Sequence, residues 1–214
     1  RAAIDAGTDG DSSTVGAGAD GGVAVVQKTL TLVGVDGEDA TSIVGENGPG
    51  LYAESATLEL SGFTLTGTAA QVEPGALWAV GSSISLVDCR IADTDATAYA
   101  SGVVWLEDSV AVFHRTTIEG NVSVGHLLFA TIGGSLHLRH CVIRDNEVEV
   151  LWYVHAVDTE MHNNLFAGNT TDTGMYFTAN GTTQWIYNNT IYGTIGSGGD
   201  LDTLDLQDGQ LVQN

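Results

Sequence analysis

Apolar and polar positions along this chain repeat as a unit: two residues one apart, then a further anchor five residues after the second. The unit reads Leu58-x-Leu60…Leu65, Ile84-x-Leu86…Ile91, Ala111-x-Phe113…Ile118, Leu136-x-Leu138…Ile143, Thr159-x-Met161…Phe166 and Gln184-x-Ile186…Ile191. Leu204-x-Leu206…Leu211 reads as a seventh copy. The middle anchors, at 60, 86, 113, 138, 161, 186 and 206, are 26, 27, 25, 23, 25 and 20 residues apart, while the gap of five never changes. A rigid unit joined by segments of variable length predicts a stacked solenoid, in which each coil sets its core residues over those of the coil below.

Alternation within the unit predicts strands, because in Leu136-His137-Leu138 the apolar residues face one way and the polar residue the other. Counted back from the last anchor, the residues at −4 and −3 (Arg139-His140, His162-Asn163) are expected to bend sharply. A second inward pair follows at −2 and 0: Phe63/Leu65, Cys89/Ile91, Thr116/Ile118, Cys141/Ile143, Asn164/Phe166 and Asn189/Ile191. Three residues after that anchor Asn121, Asn146 and Asn169 recur, a type that tolerates left-handed backbone and can bond to its own copy one coil away. Asn164 and Asn189 are expected to form a second such ladder. Four Asn-x-Ser/Thr sequons, at Asn121, Asn169, Asn180 and Asn188, follow from this turn chemistry without requiring glycosylation. A third strand is expected before each unit, over 76–80, 103–106, 127–131, 150–154 and 175–179, each with an aromatic residue: Trp78, Trp105, Phe129, Trp152 and Phe177. The predicted fold is all-β: a single-stranded parallel β-helix of about seven coils, three strands per coil, right-handed because parallel crossovers overwhelmingly are. A cap and first coil would occupy 1–50 and the remaining coils 51–214.

Composition narrows the setting. Twenty-eight Gly and two Pro suit short strands and tight turns, and no apolar run approaches the eighteen or so residues of a membrane span. No basic stretch followed by an apolar one marks a signal peptide, and with Arg1 first and Asn214 last both ends look cut from a longer chain. Six Lys and Arg against 27 Asp and Glu give a formal charge of −21, a field that repels nucleic acid and anionic membranes. It also repels polyanionic sugars unless calcium bridges the charges. Cys89 and Cys141 fall in one column with Thr116 between them, two coil steps or about 10 Å apart, which is beyond disulfide reach. Two buried free thiols are expected.

Two stretches resemble a known family. Ala2-Ala3-Ile4-Asp5-Ala6-Gly7-Thr8-Asp9-Gly10-Asp11, followed by Lys28-Thr29-Leu30-Thr31-Leu32-Val33-Gly34, is similar to the opening of right-handed parallel β-helix proteins of the pectate-lyase-like superfamily. Coils ending Asn-Asn-Leu-Phe or Asn-Asn-Thr-Ile look like its repeats. The cap departs from that pattern at the loose segment Ser12–Gly22. The superfamily holds lyases, hydrolases, epimerases, tailspikes and surface proteins, so the resemblance implies the fold and leaves activity open.

Candidate chemistry is sparse. A lyase-like centre would need a base beside a carboxylate cluster, and Asp88, Arg90 and Asp93 form the nearest approach, but the arginines at 90, 115, 139 and 144 share no column. Glu107, beside Asp108, is a candidate for an inverting hydrolase pair with a neighbouring coil. His114 and His162 flank Arg139 in one column, His137 and Glu160 neighbour each other in a second, and His140 lies close by; a hydrogen-bonded histidine stack is expected rather than a metal centre. No cofactor is expected beyond weak calcium binding at Asp93-Thr94-Asp95, Asp36–Asp39 or Asp200-Leu201-Asp202. The aromatic strands are apolar at nearly every residue, which would leave an apolar outer face for a polysaccharide, a protein partner or an oligomer contact. Trp78, Trp105 and Trp152 are the ligand-binding candidates if that column faces outward, although burial of the aromatics is the favoured expectation. The resulting reading is a non-catalytic segment of a secreted or cell-surface bacterial β-helix protein, a rigid scaffold for adhesion or glycan contact. The alternative is a polysaccharide lyase or glycoside hydrolase.

Overall fold

The computed structural model describes residues 8–68, 75–97, 102–178, 182–193, 195–196, 199–200, 204–207 and 211–213. Every regular element among them is a strand, and the strands stack as a right-handed parallel β-helix of about six turns, close to the seven expected. Each coil contributes to three faces. The aromatic face is built from Val23–Val26, Leu51–Glu54, Leu77–Val80 and the first half of Val104–His114. The anchor face carries Thr29–Gly34, Thr57–Ser61, Ser83–Val87, the second half of Val104–His114, Asp158–His162 and Gln184–Tyr187. An eight-stranded sheet from Gly18–Gly21 to Thr190–Tyr192 forms the third face.

Registers follow the anchors. Leu32, Leu60, Leu86, Phe113, Leu138, Met161 and Ile186 lie over one another, as do Ile43, Leu65, Ile91, Ile118, Ile143, Phe166 and Ile191. The Leu30/Leu32 coil escaped the sequence pattern because eleven residues, rather than five, separate Leu32 from Ile43. Ser12–Gly22 is not loose: Asp11–Val15 stacks on Thr29–Gly34 and Gly18–Gly21 on Thr41–Gly45. The seventh copy is displaced. Leu206 pairs with Phe177 on the aromatic face, and Leu211 pairs with Trp185 rather than with the Ile191 column. Its spacing imitates the unit while its residues take other positions.

Corners are made by single left-handed residues. Gly62, Asp88, Arg115, His140, Asn163 and Asn188, the −3 column, have φ of 73, 51, 50, 55, 56 and 52°. Asp93, Gly120, Asp145, Gly168 and Gly193 turn the next corner, and Ser55, Gly81, Asp108, Gly133 and Ala156 the third. Asn121, Asn146 and Asn169 are not the left-handed residues; each follows one and points into the core. Left-handed backbone costs a non-glycine residue about 1–2 kcal/mol. Bonds between coils oppose that cost: the Asp88, Arg115 and His140 amides donate to the carbonyls of His114, Arg139 and His162.

The core is a column of stacked aliphatic and aromatic side chains, with buried polar groups at the corners and, within strands, at positions including Thr131, Thr159 and Gln184. At −2, Cys89, Thr116, Cys141, Asn164 and Asn189 each donate to the carbonyl of the middle anchor one coil back, Leu60, Leu86, Phe113, Leu138 and Met161. Three side-chain types thus do one job. Both thiols are buried and free, and burial pushes each up to about 11, which keeps the S–H proton the bond requires. At +3, Asn121 donates to the Ile91 carbonyl and to Asn146 Oδ1, and Asn146 donates to the Ile118 carbonyl and to Asn169 Oδ1. Asn121 and Asn169, both at 0% exposure, offer no surface to a glycosyltransferase.

Asn146→Ala removes the buried acceptor of the Asn121 backbone and side-chain amides and the side-chain donor to the Ile118 carbonyl, leaving only the backbone amide at 146 to bond Asn169 Oδ1, and should cost about 1–3 kcal/mol. Urea unfolding measures it, and a change below the error of the fit would show that the ladder is not structural. Cys89 and Cys141 should resist a thiol reagent in the native protein and react fully in denaturant.

Candidate functional site

Because coils stack in register, residues about 25 apart in sequence meet on the surface. On the anchor face the outward columns run Val112, His137, Glu160, Trp185 and, beside it, His114, Arg139, His162, Tyr187. Glu160 is the hub. Its Oε2 bonds His137 Nδ1 at 3.0 Å and the Arg139 guanidinium at 2.5 Å, while its Oε1 accepts from the Tyr187 hydroxyl at 3.4 Å and faces His162 Nε2 at 3.6 Å. Burial pushes Glu160 up, but the bonds from Arg139 and His137 together outweigh it and hold the carboxyl below its ordinary range. His140, at the corner, stands edge-on between the rings of His114 and His162, at centroid distances of 5.5 and 5.8 Å. His162 stacks on Tyr187 at 4.8 Å and accepts from the Asn163 amide at Nδ1, which assigns its proton to Nε2. Burial lowers its pKa against the opposing pull of Glu160.

Next to the hub, a groove of about 340 Å³ is lined by His137, Asp158, Thr159, Glu160, Thr183 and Trp185. Asp158 accepts the Thr183 amide at 2.8 Å, and Trp185 is 55% exposed. The histidines and Glu160 were singled out from sequence; Trp185, Asp158 and Tyr187 were not. The signal was present in the same column count, since Trp185 follows His137 and Glu160 at −6.

The lyase-like candidates do not converge. Asp88 is held by two guanidinium nitrogens of Arg115, Nε and Nη2, one coil on. Arg90 bonds Glu119 at 2.5 Å and reaches Asp39 at 3.8 Å, and Asp93 turns a corner beside Gly120. Glu107 is exposed at the end of the aromatic-face strand, with Asp108 at a left-handed corner behind it. Two of the acidic loops already hold backbone: Asp36 accepts the amide of Ala17, 19 residues earlier, and Asp95 accepts both the amide and hydroxyl of Thr97 in its own turn. Asp200 lies where side chains are outside the described residues.

The aromatic residues divide into two columns rather than one. Phe129 and Trp152 stack face to face inside the core, 4.0 Å apart, with Trp152 at 0% exposure and no surface for a ligand. Tyr52, Trp78 and Trp105 pair in register on consecutive coils and point outward, half-buried. The side chain of Phe177 lies outside the described residues. The apolar outer face is narrower than the strands imply, because Val103, Val104 and Leu106 are all at 0% exposure. Between Trp105 and Tyr153 the outward row is broken by Ala130.

With this geometry in hand, a family model described as Periplasmic copper-binding protein (NosD) matches residues 16–195. The chain belongs to that family. No curated protein sequence matches it. Among solved structures, a pectin methylesterase from Aspergillus niger aligns at a TM-score of 0.50 and 13% identity, covering 94% of this chain and 82% of its own. A second pectin methylesterase, a mutant in complex with a hexasaccharide, aligns at 10% identity over 98% and 87%, with a TM-score of 0.43. The first of these likenesses shows the fold of this NosD-family chain and nothing of its chemistry.

A depressed His162 gives stability that is complete above the free imidazole value of about 6.5 and is lost as pH falls through the folded value. Glu160, also depressed, acts only lower, below the ordinary carboxylate range. The thermal midpoint should therefore fall between pH 7.5 and 5, and His162→Phe, which keeps the stack on Tyr187, should flatten that slope. An identical slope in the variant would remove His162 as its cause.

Proposed function

We propose that this NosD-family chain is a non-catalytic β-helix scaffold of the periplasm or cell surface, which presents the row Tyr52, Trp78 and Trp105 to a glycan. The carrying observation is the register of that row. Three rings point outward from consecutive coils, about 4.8 Å apart along the stack. Tyr52 and Trp78 tilt against each other at 4.9 Å, and the Tyr52 hydroxyl donates to Glu54 at 2.8 Å. Flat rings suit the apolar faces of sugars, and Glu54 and Glu107, one outward position further on, supply acceptors for hydroxyl groups. The charge of −21 favours a neutral polymer over a uronate one.

A lyase or hydrolase is less well supported. Lyase chemistry needs a cation free to act as base, whereas Arg90, Arg115, Arg139 and Arg144 each bond a carboxylate. Hydrolysis needs a carboxylic acid held protonated near neutral pH, whereas Asp88, Asp95 and Glu160 are all held below the ordinary range.

The family's description carries copper, an ion that needs converging donors. Thiolate and thioether suit cuprous copper and imidazole suits copper as well, yet both thiols are sealed in the core as hydrogen-bond donors, Met161 and Met175 are core residues, and His140 stands edge-on to His114 and His162 at 5.5 and 5.8 Å between ring centroids. Among the described residues no three His, Cys, Asp or Glu side chains are placed to hold one ion. The described residues do not fit a copper centre.

The test is a glycan array with a depolymerisation screen, run with and without calcium. A neutral glycan should bind, Trp78→Ala and Trp105→Ala should each weaken it about tenfold or more, and no product should appear. Product release that disappears in Arg90→Ala would sink the non-catalytic reading, and unchanged binding in both tryptophan variants would sink the aromatic row.

A further inference from the structure

We propose that the groove beside Glu160 is a binding site for a small organic cation, a substituted ammonium group seated on the face of Trp185 between Asp158 and Glu160. This site lies on the anchor face and stands independently of the glycan reading. Three observations carry it. First, Trp185 is 55% exposed, whereas Trp152 is at 0% and Trp78 and Trp105 are half-buried. Its indole lines the groove, and a cation within about 6 Å of the face of such a ring is attracted to it.

Second, the lining is acidic, with Glu160 bonded by His137 and Arg139 but Asp158 left without a cationic partner among the described residues. Asp158 and Glu160 both line it, and among the described residues no Lys or Arg does. Arg139 holds Glu160 ionised from outside that lining. Asp158 makes no ion pair among the described residues; its one bond is the Thr183 amide, which fixes the carboxylate at the rim. Third, the chain's charge of −21 gives every approaching cation a favourable field and opposes any anion. A volume of about 340 Å³ suits a headgroup rather than a polymer. Charge complementarity decides between an ammonium and a neutral group of the same shape, because an apolar groove alone would take either.

The experiment titrates the full chain with choline and with 3,3-dimethyl-1-butanol, its uncharged isostere, following the indole N–H resonances by NMR. Choline should shift the Trp185 resonance saturably, and the isostere should bind at least about tenfold more weakly. Trp185→Ala and Asp158→Asn should each weaken choline binding by a similar factor, read in the Asp158 variant from Trp185 and in the Trp185 variant by calorimetry. Asp158→Asn keeps an acceptor for the Thr183 amide, so its thermal midpoint should stay near that of the parent and separate loss of binding from loss of fold. Equal affinity for choline and the isostere would overturn the proposal, as would no saturable shift by either, or choline binding unchanged in both variants. Glycan binding at Trp78 and Trp105 is measured separately, so either reading can fail alone.

Discussion

A coil that turns three times must present carbonyls at its corners that strand pairing alone does not serve, and a buried polar group without a partner costs about 1–3 kcal/mol. In this chain the inward −2 column answers that demand with a donor in each of five successive coils: Cys89, Thr116, Cys141, Asn164 and Asn189. The two asparagines do more than the thiols. Asn164 also accepts the Cys141 amide, and Asn189 accepts the Asn164 amide, so each amide side chain ties two coils. The stacking that everything else relies on is thus maintained by hydrogen bonds chosen for position rather than for residue type. Burial of the thiols is part of the same solution, since a thiolate could not donate.

Fixed stacking turns sequence distance into surface proximity, and this explains what was legible in the chain. Anchor spacing reported which residues share a column, so the Leu60 to Ile186 register, the buried cysteines and the neighbourhood of His137 and Glu160 could all be read from counting. Counting fails where the unit is stretched or imitated. A step of eleven residues from Leu32 to Ile43 hid one coil, and the spacing of Leu204, Leu206 and Leu211 suggested a copy whose residues sit on other faces.

Facing was harder to read than register. Strands such as Val103-Val104-Trp105-Leu106 lack polar alternation, so nothing in them says which ring is inside. Trp105 aligns with Trp78 and Ala130, while Trp152 aligns with Phe129, a difference of one residue that places one indole outside and the other in the core. A slip of one position in a strand reverses the face of its side chain. Trp185 was overlooked for a related reason: its polar-position partners His137 and Glu160 drew notice as titratable groups, and an aromatic ring in the same column did not.

The arginines show how the same geometry withholds chemistry as readily as it assembles it. With so few cations in so acidic a chain, the guanidinium groups of Arg90, Arg115, Arg139 and Arg144 each lie one coil from a carboxylate, and the pairs close across coils. Asp39, Arg90, Glu119 and Arg144 form a ladder along the third face, with Arg90 and Arg144 both on Glu119. Arg115 takes Asp88 at the neighbouring corner, and Arg139 takes Glu160 on the anchor face. Exposed pairs of this kind contribute little individually, about 0–1 kcal/mol, but placed between coils they offset repulsion among stacked acidic loops. An arginine so used is not free to act as a base. The carboxylates left without such a partner, Asp158 above all, are where the negative field remains available to a ligand, and in this chain that place adjoins its most exposed tryptophan.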